Sequence, residues 1–133
     1  MTSLREAVLA LLPAGTFEGE APASATLPWR VVTIDVPTPV RRALAGPVHT
    51  RRARVRVTVA AANHQACHIL AAQVVAALEF VTPAADEVTC GPLMHVSSRP
   101  ITRDPQVTLP ATNTSAFFTV LDFGLTVAAS PTP

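Results

Sequence analysis

The chain has 133 residues, 49% hydrophobic and 14% charged, with 10 basic and 9 acidic side chains and a formal net charge of +1. The length suits one domain spanning residues 1–133, with enough chain to bury a real core. The balanced, sparse charge excludes a binder held to nucleic acid mainly by phosphate neutralisation, and the apolar content excludes a disordered chain.

Ser3 with Glu6 three residues on forms a capping-box pattern. It predicts a short helix through about Leu12, with Leu4, Val8, Leu11 and Leu12 as its apolar stripe and Pro13 ending it. Gly15 to Glu20 suits a short strand, and a polar Ala/Pro/Ser stretch runs to Pro28. Trp29 to Val36 alternates as a strand. Pro37, Pro39, Gly46 and Pro47 then predict a loop that carries Arg41 and Arg42.

His49 to Ala61 gives the clearest pattern. Ala53, Val55, Val57, Val59 and Ala61 share one face, and Arg52, Arg54, Arg56 and Thr58 share the other. Such alternation predicts a long strand with one face on the core. Asn63 is a good N-cap for a helix over His64 to Phe80, whose stripe is expected at Ala66, Leu70, Val74, Ala77, Leu78 and Val81. Asp86 to Val88 leads into a strand through about Val96. The segment from Ser97 to Ser115, which holds Arg99 and Arg103, reads as a polar loop. Ala116 to Ala129 alternates again, with Phe117, Leu121, Phe123, Leu125 and Val127 on one face. The expected fold is α+β: a mostly antiparallel sheet of about four to five strands with both helices packed on one face.

No stretch is apolar and long enough to act as a signal core or to span a bilayer, so the chain is expected to be soluble and not exported, with no membrane partner. Cys67 and Cys90 are expected to be reduced thiols. No nucleophile elbow, phosphate-binding loop, dinucleotide fingerprint or paired-cysteine motif is present. Hence no enzyme activity and no cofactor are expected. His64, Cys67 and His68, with Cys90 and His95 elsewhere, form one arrangement that resembles a metal set. The alternative is solvent-facing histidines beside a small packed cysteine.

All ten basic residues are arginine. The stripe of Arg52, Arg54 and Arg56 is either a row of forked donors aimed at a neighbouring subunit's carboxylates or at DNA phosphates, or the solvated face of a half-buried strand.

The order of elements, together with several strings, resembles the tail terminator, or tail completion, proteins of long non-contractile-tailed bacteriophages. The strings are Leu27-Pro28-Trp29-Arg30-Val31-Val32, Leu44-Ala45-Gly46-Pro47 before Arg54-Val55-Arg56-Val57-Thr58-Val59, Cys90-Gly91-Pro92-Leu93-Met94-His95, Ser97-Ser98-Arg99-Pro100 and Phe117-Phe118-Thr119-Val120. The resemblance implies a virion protein, assembled in the host cytoplasm, that forms a ring, commonly a hexamer, on the head-proximal end of the tail tube. The ring would stop tube polymerisation and offer a surface to the head connector, with DNA passing through its lumen unread. On this reading the sheet packs on the neighbouring subunit. Arg52, Arg54 and Arg56, with Arg41, Arg42, Arg99 and Arg103 on the two loops, are then the candidate contact residues. The alternative reading is a head-completion protein, a stopper or adaptor, of the same neck region.

Overall fold

A computed structural model of the chain describes residues 3–20, 28–35, 38–42, 48–86, 88–109 and 114–129. Helix α1 (Leu4–Leu11) starts where Ser3 Oγ accepts from the Glu6 N–H at 3.2 Å. Strand β1 (Thr16–Glu18) follows, and then β2 (Trp29–Ile34) and β3 (Thr38–Arg42). The long strand β4 (Val48–Ala61) leads to α2 (His64–Leu78), and Asn63 Oδ1 caps that helix by accepting from the Ala66 N–H at 2.8 Å. Strands β5 (Val88–Cys90), β6 (Met94–Ser98), β7 (Thr102–Leu109) and β8 (Thr114–Ala129) complete the order.

The eight strands form one sheet. β2 and β3 both run antiparallel to β4, one after the other, and the Asp35 N–H donates to the Arg54 carbonyl between them at 2.9 Å. β2 and β3 thus occupy one flank of β4 in succession. β5, β6 and β7 likewise pair in succession along β8. β1 adds to β2 in parallel. The sheet is therefore five ranks wide, which is why eight strand segments fit the expected breadth.

Two predicted loops contain strands. The predicted loop at 37–47 contains β3, and the predicted loop at 97–115 contains β7. Both are polar and carry proline, the usual marks of a loop. Both pair because a long partner strand offers unfilled backbone donors and acceptors beside them. Proline is tolerated there because the pairing shifts register around Pro39 and between Asp104 and Thr108. Residues 36, 37, 43–47, 110–113 and 130–133, parts of those predicted elements and the chain's last four positions, lie outside the described residues.

The expected single strand from Asp86 to Val96 is broken after Cys90. Leu93 turns inward there, is fully buried, donates to the Val81 carbonyl and accepts from the Phe80 N–H. Gly91 makes the turn possible: a Cβ at that position would meet Thr126 Oγ1 at 2.8 Å.

The core lies between one sheet face and the two helices. Val55, Val57 and Val59 are fully buried there with Val32 and Phe123, against Leu4 and Val8 of α1 and Cys67, Val74 and Leu78 of α2. Each such side chain stabilises by about 1.5–3 kcal/mol relative to exposure. The α2 stripe is turned toward Cys67 from the expected line. Ala66 and Leu70 are only partly buried, and the helix stops at Leu78, two residues before the predicted end. A helix with apolar side chains on its exposed as well as its buried side announces its buried face poorly by periodicity.

Candidate subunit interface

Strand alternation puts Arg52, Arg54 and Arg56 on the sheet face opposite the helices. In register with them on β8 are Thr126, Gly124 and Asp122. The Arg56 Nε donates to Asp122 Oδ1 at 2.8 Å, and Ser97 Oγ donates to Asp122 Oδ2 at 3.4 Å. The hydrogen bond from Arg56 holds the Asp122 carboxyl below its ordinary value, against an opposing push from burial, and raises the Arg56 guanidinium in turn. Arg54 is exposed and forms no salt bridge among the described residues, though its charge adds to the field on Asp122.

Beside the stripe, Gly124 leaves a gap opposite Arg54. Val96 of β6 leans over it; a Cβ on Gly124 would meet Val96 Cγ2 at 3.3 Å. Asp35, Arg52, Arg54, Val96 and Asp122 enclose a depression of about 270 Å³. Met94, paired with Gly124, points to the same face. Met94 is 47% exposed and Val96 64%.

The structure does not gather all the candidate arginines there. Arg99 lines a groove on the helix side. Its N–H donates to the Val120 carbonyl, and its own carbonyl accepts from Thr119 Oγ1 at 2.6 Å. Arg103 is exposed and pairs with Phe117, which sets it on the helix side of the sheet. Arg41 and Arg42 lie on β3, paired with Thr50 and Val48, and their side chains are outside the described residues.

The helix-side groove has a volume of about 700 Å³. One wall is α2, through Ala72, Val75 and Ala76; the other runs along Arg99, Pro100 and Ile101. Phe80 also lines it. Phe80 is 66% exposed and has φ 64°, the one non-glycine residue with positive φ among those described. Leu93 holds it there, since the Phe80 N–H donates to the Leu93 carbonyl at 2.7 Å.

His64, His68 and His95 all line this groove, but they do not form a metal centre. Among the described residues no group of three or more His, Cys, Asp or Glu side chains is placed to hold a metal ion. His64 packs edge-on against Phe117 at 6.3 Å, and His95 stacks on Phe123 at 5.1 Å. Cys67 is fully buried, its thiol donates to the Val59 carbonyl at 3.7 Å, and burial pushes its pKa up. It packs as a small apolar side chain. Cys90 is a free, half-buried thiol also raised by burial.

The expectation from sequence did not include the groove or Phe80. One signal was present: His64–Leu78 contains no formally charged residue, although half of a surface helix faces water. Among the described residues no helix is long and apolar enough to cross a membrane. A comparison with protein-family models matches residues 3–117 to the family described as tail completion protein gp17. A search of curated proteins finds no match.

Proposed function

Because the chain belongs to the tail completion protein gp17 family, a structural component of the phage tail, we propose that it forms a ring, a hexamer, on the head-proximal end of the tail tube. The ring ends tube polymerisation and presents a joining surface to the head connector, and DNA passes through its lumen without being read. The whole of residues 1–133 acts as one domain in this role, without catalysis. The observation that carries the reading is the family match across residues 3–117.

Arg52, Arg54 and Arg56 lie at the subunit boundary in this reading. Arg54 is the member free to reach a neighbour, since Arg56 is engaged by Asp122. Arg41, Arg42, Arg99 and Arg103 belong to the contacts with the neighbour, the tube or the connector.

Negative-stain images of the protein alone and with its tail tubes test the proposal. Closed rings, free or at one end of the tube, are expected. A protein that remains monomeric and ignores tubes overturns it. Binding to the capsid connector in place of the tube assigns the protein to head completion instead.

A further inference from the structure

We propose that neighbouring copies join head to tail, with the Met94–Val96 ridge of one copy seated in the α2 groove of the next, against its Phe80. The inference rests on the ring reading above and names the surfaces that make the ring.

The large hydrophobic side chains left exposed among the described residues are Ile69, Phe80, Met94 and Val96. They fall into two groups. Met94 and Val96 stand on the arginine face of the sheet, and Ile69 and Phe80 stand on the helix side. The sheet itself separates the groups, so no copy can cover one with the other. A second copy can.

The two sites differ in form. One site is a ridge on an outer strand, and the other is a groove of about 700 Å³. Neither β6 nor α2 carries a formal charge; the charges lining the groove are Glu79 just past α2 and Arg99 on the opposite wall. Phe80 fits the role of anchor. A bulky residue held in the left-handed region costs free energy, and so does an aromatic ring left in water. Both costs persist in the free chain because Leu93 fixes the backbone. Strain of this kind points to a binding role at the strained residue.

Charge complementarity picks the same partner. Arg54 borders the ridge and makes no salt bridge among the described residues. Glu79 borders the groove beside Phe80 and likewise makes none. Seating the ridge in the groove brings an unpaired cation to the rim that holds an unpaired acid. Because ridge and groove are different surfaces, the contact is heterologous, and a heterologous contact that closes gives a ring.

Two measurements test the pairing, both in a Cys90→Ser background. In the first, chains carrying Met94→Cys and chains carrying Phe80→Cys are mixed and oxidised. Disulfide-linked pairs are expected in the mixture and not in either chain alone. Equal cross-linking of one chain with itself, or rings without cross-links in the mixture, overturns the proposal. In the second, Arg54→Glu and Glu79→Arg are each expected to raise the concentration needed for assembly about tenfold, and the double swap to restore it. Circular dichroism identifies any variant that has not folded, and the cross-linking result then decides. Rings that tolerate both single changes overturn the pairing and leave the ring intact. A parent chain that forms no ring, free or on tubes, overturns the ring reading itself.

Discussion

Arg56 on β4 and Asp122 on β8 stand directly opposite each other across the central strand pair, and the Arg56 Nε donates to Asp122 Oδ1 at 2.8 Å. They tie together the two longest strands on the face that the helices do not cover. The carboxyl is the less exposed partner, at 16% against 43% for the guanidinium side chain. A pair this open to water is screened, so it contributes at most about 1 kcal/mol.

That contribution depends on pH in a definite direction. The Asp122 carboxyl sits below its ordinary value in the folded chain, chiefly through the hydrogen bond from Arg56. Its stabilisation is complete above the unfolded carboxylate value, about pH 3.9, and is lost as pH falls through the lower folded value. Asp122→Asn is expected to cost about 0.5–1 kcal/mol at neutral pH and to lose less stability than the parent on acidification. Urea unfolding of both chains at neutral and acid pH measures the difference.

Reversing charge at Arg54 and at Arg56 is expected to have different consequences. Arg56→Glu faces Asp122 across the strands, so it destabilises the fold as well as any contact. Arg54→Glu meets Gly124 in register and should destabilise the fold less, since it loses only the through-space attraction to Asp122 and no hydrogen bond. The double reversal is expected to weaken ring assembly more than folding. Thermal unfolding and light scattering on the same samples separate the two effects, and a double variant that assembles like the parent makes the stripe a solvated face only.

Phe80→Gly is expected to stabilise the free chain while weakening assembly. Glycine carries no penalty at φ 64°, where an L-residue with a side chain loses about 1–2 kcal/mol. Part of the gain is offset by the greater freedom of glycine in the unfolded chain. A higher melting temperature together with poorer ring yield is the expected result, and a lower melting temperature counts against the strain at Phe80.

Gly91→Ala is expected to loosen the β5–β8 pairing. The added Cβ meets Thr126 Oγ1 at 2.8 Å, and relieving such a contact costs about 1–3 kcal/mol. Thr126→Ala in the same chain removes the obstructing oxygen and should recover most of the loss. Denaturant midpoints of the two single variants and the double variant provide the check.

Phe123→Ala is expected to be among the most damaging single changes. Phe123 is the largest of the fully buried side chains and carries the stacked His95 ring. Truncating it costs about 3–5 kcal/mol, a large share of the roughly 5–15 kcal/mol that holds a domain together. Loss of cooperative unfolding in the variant is the readout.

The sequence by itself determined the two helices with their caps, the long strands β4 and β8, and which face of those two strands is buried. Ser3 and Asn63 cap as read, because capping depends on side-chain oxygens within three residues of the helix start. The faces of β4 follow from alternation, which is local. What only the tertiary structure decided is whatever one segment becomes because another lies beside it. β3 and β7 look like loops in isolation and become strands because β4 and β8 extend past the rest of the sheet. The face of α2 that is buried was set by contact with the sheet, since apolar residues stand on its exposed side as well. Arg56 and Arg54 are indistinguishable in the alternating pattern, and only the register with β8 gives one of them Asp122 and the other the space above Gly124. Local periodicity specifies which way a side chain points. What it meets is fixed by pairings between residues far apart in the chain.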